Sequence, residues 1–175
     1  MIKNSITFIK IYAEDKLALF FLLILISLVF FVFIGPYFTL QNPYDLAQLS
    51  ILDSLMPPMS RSFEDDLFYL GTDDQGRDLV SAIIYGLRIS LFVGLLSVII
   101  ALFIGIVLGI ISAYFGGFID SIIMRIADMV LAMPSFLIAL VLLSILGRGL
   151  ENVIIALVMS QWATFARVIR SSALS

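Results

Sequence analysis

The chain has 175 residues, of which 62% are hydrophobic and only 13% are charged, with a formal net charge of −3. Soluble domains carry about 25% charged residues, so this composition indicates an integral membrane protein. Cysteine and histidine are both absent, which excludes disulfides, zinc sites built on these ligands, and nucleophiles that need either residue. The sequence also has no phosphate-binding G-x-x-x-x-G-K-[ST] motif and no basic patch of the kind that binds nucleic acid. We therefore expect no enzyme activity, no metal and no cofactor in this chain.

The first apolar run, Leu17 to Ile34, is uncharged and approaches the roughly 20 residues that cross about 30 Å of hydrocarbon. Residues 1–16 before it carry three lysines, and their apolar positions share one helical face, which predicts a short helix on the membrane surface over residues 2–13. The preceding lysines resemble the start of a signal peptide, which is the alternative, but 18 apolar residues exceed the usual length of its apolar region and no A-x-A cleavage site follows the run. We predict an uncleaved first transmembrane helix over residues 17–36.

Residues 37–88 form the one sizeable segment outside the membrane, and they contain most of the acidic residues. Their "NP" and "PP" dipeptides favour a loop over a domain. Within this segment "GTDDQGRD" precedes a helical pattern from Arg77 to Ser90, which predicts an interfacial helix capped by Thr72, Asp73 or Asp74. A cap and turn is the simpler interpretation; a contact between this acidic rim and an external partner is the alternative.

Three further apolar runs follow, at Ile89 to Ala113, Met129 to Leu146 and Val153 to Ala166. Together with the first run they predict an all-α bundle of about four transmembrane helices. Small residues recur every four positions in the second span, and such a stripe lets another helix approach closely. The spacing leaves open whether that helix belongs to this chain or to a partner. The stripe consists of Ser97, Ala101, Gly105, Gly109 and Ala113.

The segment "YFGGFIDSIIMRIAD" between the second and third spans places Asp120 and Asp128 on one helical face. Paired carboxylates there could move protons. A solvated cap and a surface ion pair from Arg125 to Asp128 are favoured, because these residues border the span and are not inside it.

The third and fourth spans supply the candidates for a translocation path. Pro134 predicts a kink in the third span, where Ser135 can bond the freed backbone groups. Ser160, Gln161 and Thr164 are the densest polar set at membrane depth, and such residues usually face a bundle interior or a water-filled path. Helix packing by Ser160 and Thr164, with Trp162 as an interfacial anchor, is the alternative.

Short loops rich in Lys and Arg lie on the cytoplasmic side of membrane proteins. The uneven distribution of Lys and Arg between the loops of this chain is modest, but it places the N-terminus in the cytoplasm and residues 37–88 outside. The inner segments then carry Lys3, Lys10, Lys16, Arg125, Arg167 and Arg170.

Several long patterns in order make the chain, from about residue 70 to residue 172, resemble a known family. They are "GTDDQGRD", "IYGLRISLFVG" and "AYFGGFIDSIIMRIADMVLAMPSFLIAL". The sequence resembles the second permease subunit of dipeptide and oligopeptide ABC importers, which are binding-protein-dependent inner-membrane components. The matching positions in the turn are Gly71, Thr72, Asp73, Gly76, Arg77 and Asp78. In the next segment they are Tyr114, Gly116, Gly117, Asp120, Met124, Arg125, Asp128 and Pro134.

The resemblance implies the front part of a type I ABC importer permease fold in a bacterial inner membrane, with residues 89–175 as three spans of the permease core. It implies a second permease subunit, two ATPase subunits, an extracytoplasmic substrate-binding protein and membrane lipid as partners. It also favours packing of the small-residue stripe within a two-permease core.

The cargo stays open among dipeptides, oligopeptides, nickel and peptide antibiotics. A structural or assembly subunit that transports nothing is the alternative function. In the family that the chain resembles, the fourth span is followed by an ATPase-docking helix and two more spans. The resemblance therefore predicts that residues 1–175 alone enter a membrane but neither stimulate an ATPase nor support uptake.

Overall fold

The computed structural model describes residues 15–63 and 65–175. The surface helix predicted for residues 2–13 lies outside these residues. The chain divides into two units, Met1–Ile89 and Ser90–Ser175.

The first unit begins with helix α1, Lys16–Ile34. The carboxylate of Asp15 caps it by accepting hydrogen bonds from the backbone N–H groups of Leu17 at 3.0 Å and Ala18 at 3.3 Å. The helix is apolar on all sides and about 28 Å long, which suits a membrane span. It ends in a short 3₁₀ turn, Gly35–Tyr37, that contains Pro36. By its length and composition this helix is a candidate membrane span, at nearly the residues 17–36 predicted from the sequence.

Residues 38–78 contain only short elements. Two 3₁₀ turns, Leu46–Gln48 and Ile51–Asp53, precede a two-stranded antiparallel sheet. Strand β1, Ser60–Arg61, pairs with strand β2, Leu67–Phe68, so that Ser60 faces Phe68. This segment has the irregular structure that its proline dipeptides predict.

Helix α2, Leu79–Phe115, is 37 residues long and continuous. The stretch predicted as an interfacial helix is therefore not a separate element but supplies the first turns of α2, since no proline interrupts the backbone hydrogen bonds after residue 78. The cap also differs from the prediction. The carboxylate of Asp78, rather than a side chain at 72–74, accepts hydrogen bonds from the Ser81 N–H at 2.8 Å and the Ser81 hydroxyl at 2.6 Å.

The second unit contains helices α3, Gly117–Ala132, α4, Ser135–Leu146, and α5, Leu150–Leu174. The chain turns from α2 into α3 at Gly116, whose φ of +59° is a conformation that residues with a Cβ rarely adopt.

The kink predicted at Pro134 is a complete break. Helices α3 and α4 meet at an angle of 94°, and the Val130 carbonyl accepts a hydrogen bond from the Met133 N–H, which ends α3. Met129 to Leu146 is therefore not one continuous span, because residues 129–132 belong to α3. Among the residues that the structure describes, three helices are long and apolar enough to cross a membrane, or four if the broken pair counts as one span. This confirms the prediction of an all-α membrane protein.

The core of the second unit lies where α2, α3 and α5 meet. Ala127, Trp162, Ala163 and Ala166 are buried there. Trp162 is only 7% exposed, so it packs between helices and does not face an interface as the anchor interpretation requires. The periodicity of the sequence could not distinguish a place between helices from a place at the membrane interface for this side chain.

Two glycines of the small-residue stripe let α2 contact α5 closely. A Cβ placed on Gly105 would lie 2.4 Å from the Phe165 Cβ and 3.0 Å from the Ala166 nitrogen. A Cβ on Gly109 would lie 2.7 Å from the Ala166 carbonyl oxygen. Ser97 and Ala101 of the same stripe are buried and Ala113 is half-buried. At the two glycines the stripe thus packs against a helix of the same chain.

We expect Gly105→Leu to lower the thermal unfolding temperature of the chain in detergent, because the added side chain separates two helices that are in contact. Overpacking of a tight contact costs about 1–3 kcal/mol. Gly94→Leu on the same helix is the matched control, since no atom lies within 4 Å of a Cβ placed there. Equal unfolding temperatures for the two variants would contradict the contact.

Candidate functional site

Helices α3 and α5 bring five charged side chains together along a shallow groove, which we call the charged groove. Ser121 and Met124 complete its lining. The five charged residues are Asp120, Arg125, Asp128, Arg167 and Arg170. Three of them were predicted from the sequence as a family motif, and the two arginines of α5 were not predicted as their partners.

Asp120 connects three helices. Its carboxylate accepts two hydrogen bonds from the Arg170 guanidinium, from Nε and from Nη2, each at 2.5 Å. The hydroxyl of Ser112, at the end of α2, donates to the same carboxylate. Bidentate guanidinium–carboxylate pairs are stronger and geometrically more specific than single hydrogen bonds. Asp120 therefore fixes the positions of α2, α3 and α5 relative to one another.

Asp128 forms an ion pair with Arg167. The i, i+3 spacing had predicted Arg125 as its partner, and this prediction is wrong. Arg167 lies across the groove on α5, where its planar guanidinium meets the carboxylate without the constraint of sharing a helix with it. Among residues 15–63 and 65–175 no ion pair includes Arg125. Since each aspartate of the groove is matched by an arginine, the groove favours a structural ion-pair role over proton movement.

The arginines of α5 could have been found by comparing two helical faces. Arg167 and Arg170 share one face of α5, as Asp120 and Asp128 share one face of α3. Complementary charge on two faces indicates that they pack together. A reading confined to one segment detects only neighbours within that segment.

The five path candidates lie on two parts of the second unit. Pro134 and Ser135 are exposed at the break between α3 and α4. On α5 Gln161 is half-buried and Thr164 is exposed, while the Ser160 hydroxyl donates to the Leu157 carbonyl of its own helix at 2.9 Å. Their role in translocation stays a prediction.

In the first unit, residues 71–78 form a closed turn. Thr72 and Asp78 pair as an antiparallel bridge, and the Leu79 N–H donates to the Gly71 carbonyl at 3.1 Å. Gly71 and Gly76 have φ values of +81° and +74°, which explains glycine at both positions.

Asp73 holds this turn together. Its carboxylate accepts from the backbone N–H groups of Gln75 and Arg77 and from Arg77 Nε, at 2.9, 3.0 and 2.7 Å. Partial burial alone would raise the pKa of Asp73, but the two backbone N–H groups and the Arg77 guanidinium outweigh it and lower that pKa. The carboxylate therefore stays ionised to a lower pH than an unperturbed aspartate does.

We expect Asp120→Ala and Arg170→Ala each to lower the unfolding temperature, because each leaves the opposite charge without its bidentate partner. The unfolding temperature of the double variant should fall by less than the sum of the two single decreases. The gap between that sum and the observed decrease should become smaller at high salt. Arg125→Ala is the control within the same groove, and it should change little. Strictly additive losses would contradict the pairing.

Comparison with known proteins places two segments in described families. Residues 7–58 match the N-terminal transmembrane domain of oligopeptide transport permease C. Residues 105–175 match the binding-protein-dependent transport system inner membrane component family. Helix α1 lies in the first match, and the charged groove lies in the second.

Three relatives are similar over most of the chain. The dipeptide transport system permease protein DppC of Bacillus subtilis is 35% identical, over 92% of this chain and 48% of the relative. DppC of Haemophilus influenzae is 34% identical, over 92% of this chain and 54% of the relative. The oligopeptide transport system permease protein OppC of Bacillus subtilis is 36% identical, over 93% and 50%. The chain thus spans about half the length of the curated relatives that it matches. With both segments matched in order and this identity across them, the chain is similar over most of its length to binding-protein-dependent transport inner membrane components.

Proposed function

We propose that this chain is a permease subunit of an ABC importer for short peptides and forms part of the path across the membrane. The observation that carries the proposal is the similarity to dipeptide and oligopeptide permeases across both family segments. The helices also support the proposal. The described residues contain several candidate membrane spans, and two helices pack tightly at Gly105 and Gly109.

The proposed partners are a second permease subunit, two ATPase subunits and an external binding protein. ATP hydrolysis would then take place on the separate subunits, because the 175 residues contain no phosphate-binding loop motif. The apolar faces of α1 and α2 remain largely uncovered within the chain, as expected for helices that meet lipid or further helices. No observation favours a subunit that transports nothing.

For the orientation we propose a cytoplasmic N-terminus and an external segment of residues 37–78. The charged groove supports this orientation, since Arg125, Arg167 and Arg170 would then lie on the cytoplasmic side, where positive residues are enriched.

The orientation predicts that single cysteines at Asp65 and Ser121 react with a membrane-impermeant maleimide from opposite sides of the membrane. Both residues are exposed, and the parent chain has no cysteine, so it serves as the unlabelled control. Asp65→Cys should react in intact cells, and Ser121→Cys only after the membrane is opened. Reaction of both in intact cells would overturn the proposed topology.

The function predicts that deletion of the gene encoding this chain abolishes uptake of a radiolabelled dipeptide and leaves uptake of the free amino acids unchanged. The restored gene, with any coding segment that it has beyond these 175 residues, should recover uptake, whereas the same gene with Gly105→Leu should not, because helix packing is lost. Gly94→Leu is again the control, and co-purification should recover a second permease and ATPase subunits. Undiminished dipeptide uptake after deletion, with no ATPase recovered, would favour an assembly subunit instead.

A further inference from the structure

The first unit contains a cavity that the proposed function does not use. It lies between residues 40–53 and 62–68 and has a volume of about 580 Å³. Sites for small molecules typically have volumes of about 300–1,000 Å³. We call it the loop cavity. Its lining combines apolar side chains, among them Leu52, Phe63 and Phe68, with the carboxylates of Asp53 and Asp66.

The turn of residues 71–78 supports one wall of the loop cavity from behind. The Thr72 hydroxyl donates to the carbonyl of Asp53 and accepts from the Met56 N–H at 2.8 Å. Gly76 lies so close to Ser50 that a Cβ on it would be 2.1 Å from the Ser50 carbonyl oxygen. The polar turn therefore has a structural use beyond starting α2: it holds cavity-lining residues 50–53 in place.

The negative charge of the loop cavity favours a cationic ligand over an anionic one. Asp53 is only 6% exposed, and its carboxylate accepts the Phe63 N–H at 3.2 Å. Asp66 is exposed, and no ion pair among the described residues includes it. None of the described lining residues is a lysine or an arginine. An anion would therefore meet two carboxylates without a compensating charge, whereas a cation would be attracted.

The cation that fits is organic and not a metal ion. In the described part of the chain no three acidic side chains come close enough to hold a metal. A primary ammonium group can donate three hydrogen bonds to carboxylate and carbonyl oxygens. Phe63, which lines the same cavity as Asp66, is exposed and offers apolar surface for a side chain carried beside that ammonium group.

We propose that the loop cavity binds the N-terminal end of a short peptide, with the Asp66 carboxylate receiving the α-ammonium group and Phe63 contacting the first apolar side chain. The choice of a peptide as the source of the ammonium group rests on the proposed function. The cavity would then be a peptide site on the permease chain itself, in the segment that we propose faces outside.

The test uses the 175-residue chain in lipid nanodiscs and two probes, leucyl-phenylalanine amide and its N-acetyl derivative, titrated by calorimetry. The amide carries the ammonium group and no carboxylate. We expect saturable binding of the amide and binding at least about tenfold weaker for the acetylated probe, which has lost the charged donor. This comparison uses the unaltered chain, so it does not depend on the folding of a variant.

Asp66→Asn should weaken binding of the amide by a similar factor and leave the acetylated probe unaffected. Asp74→Asn is the matched control, because it removes the same charge from an exposed residue outside the lining. Absence of saturable binding, equal binding of both probes, or equal loss in both variants would overturn the proposal. Dipeptide uptake is measured separately: loss of the importer function with intact probe binding would reject the function and keep the site.

Discussion

The second unit depends on how closely α2 can approach α5. At Gly105 and Gly109 the two helices are in backbone contact, and any side chain at either position would occupy space already filled by α5. Near this contact Trp162 is buried together with Ala127, Ala163 and Ala166, and larger side chains pack against this core from its edge. The turn at Gly116 brings the end of α2 near the start of α3, so that Ser112 reaches Asp120. Packing at the glycines and the ion pairs of the charged groove thus stabilise one arrangement of three helices.

The two charged pairs differ in what they contribute. Arg170 meets Asp120 through two hydrogen bonds in a half-buried setting, where geometry is fixed. Arg167 and Asp128 are both more than half exposed, and exposed pairs contribute little to stability because water and salt screen them. The first pair sets the register between α3 and α5, while the second follows from it. In the first unit Asp73 and Asp78 act within a single turn, each bonding backbone groups a few residues away.

Features encoded locally were predicted from the sequence, whereas contacts between residues far apart in the chain were not. The first span follows from an uninterrupted apolar run, and the break at Pro134 follows from a missing N–H, so both were found. The size of the break was not, because a proline can kink or end a helix according to what packs around it. The amphipathic stretch after Arg77 suggested a separate helix, yet a change of polarity does not interrupt backbone hydrogen bonds. Arg167 and Arg170 lie some 40 to 50 residues from their partners, beyond any local pattern.

The break between α3 and α4 determines where the membrane must admit polar groups. Helix α4 has 12 residues and is about 18 Å long, too short to cross the hydrocarbon by itself. Where α3 ends, its last carbonyls other than that of Val130 lack the donors that a continuing helix would supply, and lipid offers none. These carbonyls have to be hydrated or covered by another polypeptide wherever the break lies within the bilayer. The break at Pro134 thereby creates a need for water or another polar group at one point. The dielectric constant there has to be higher than in the surrounding segment, whose side chains are almost all hydrocarbon.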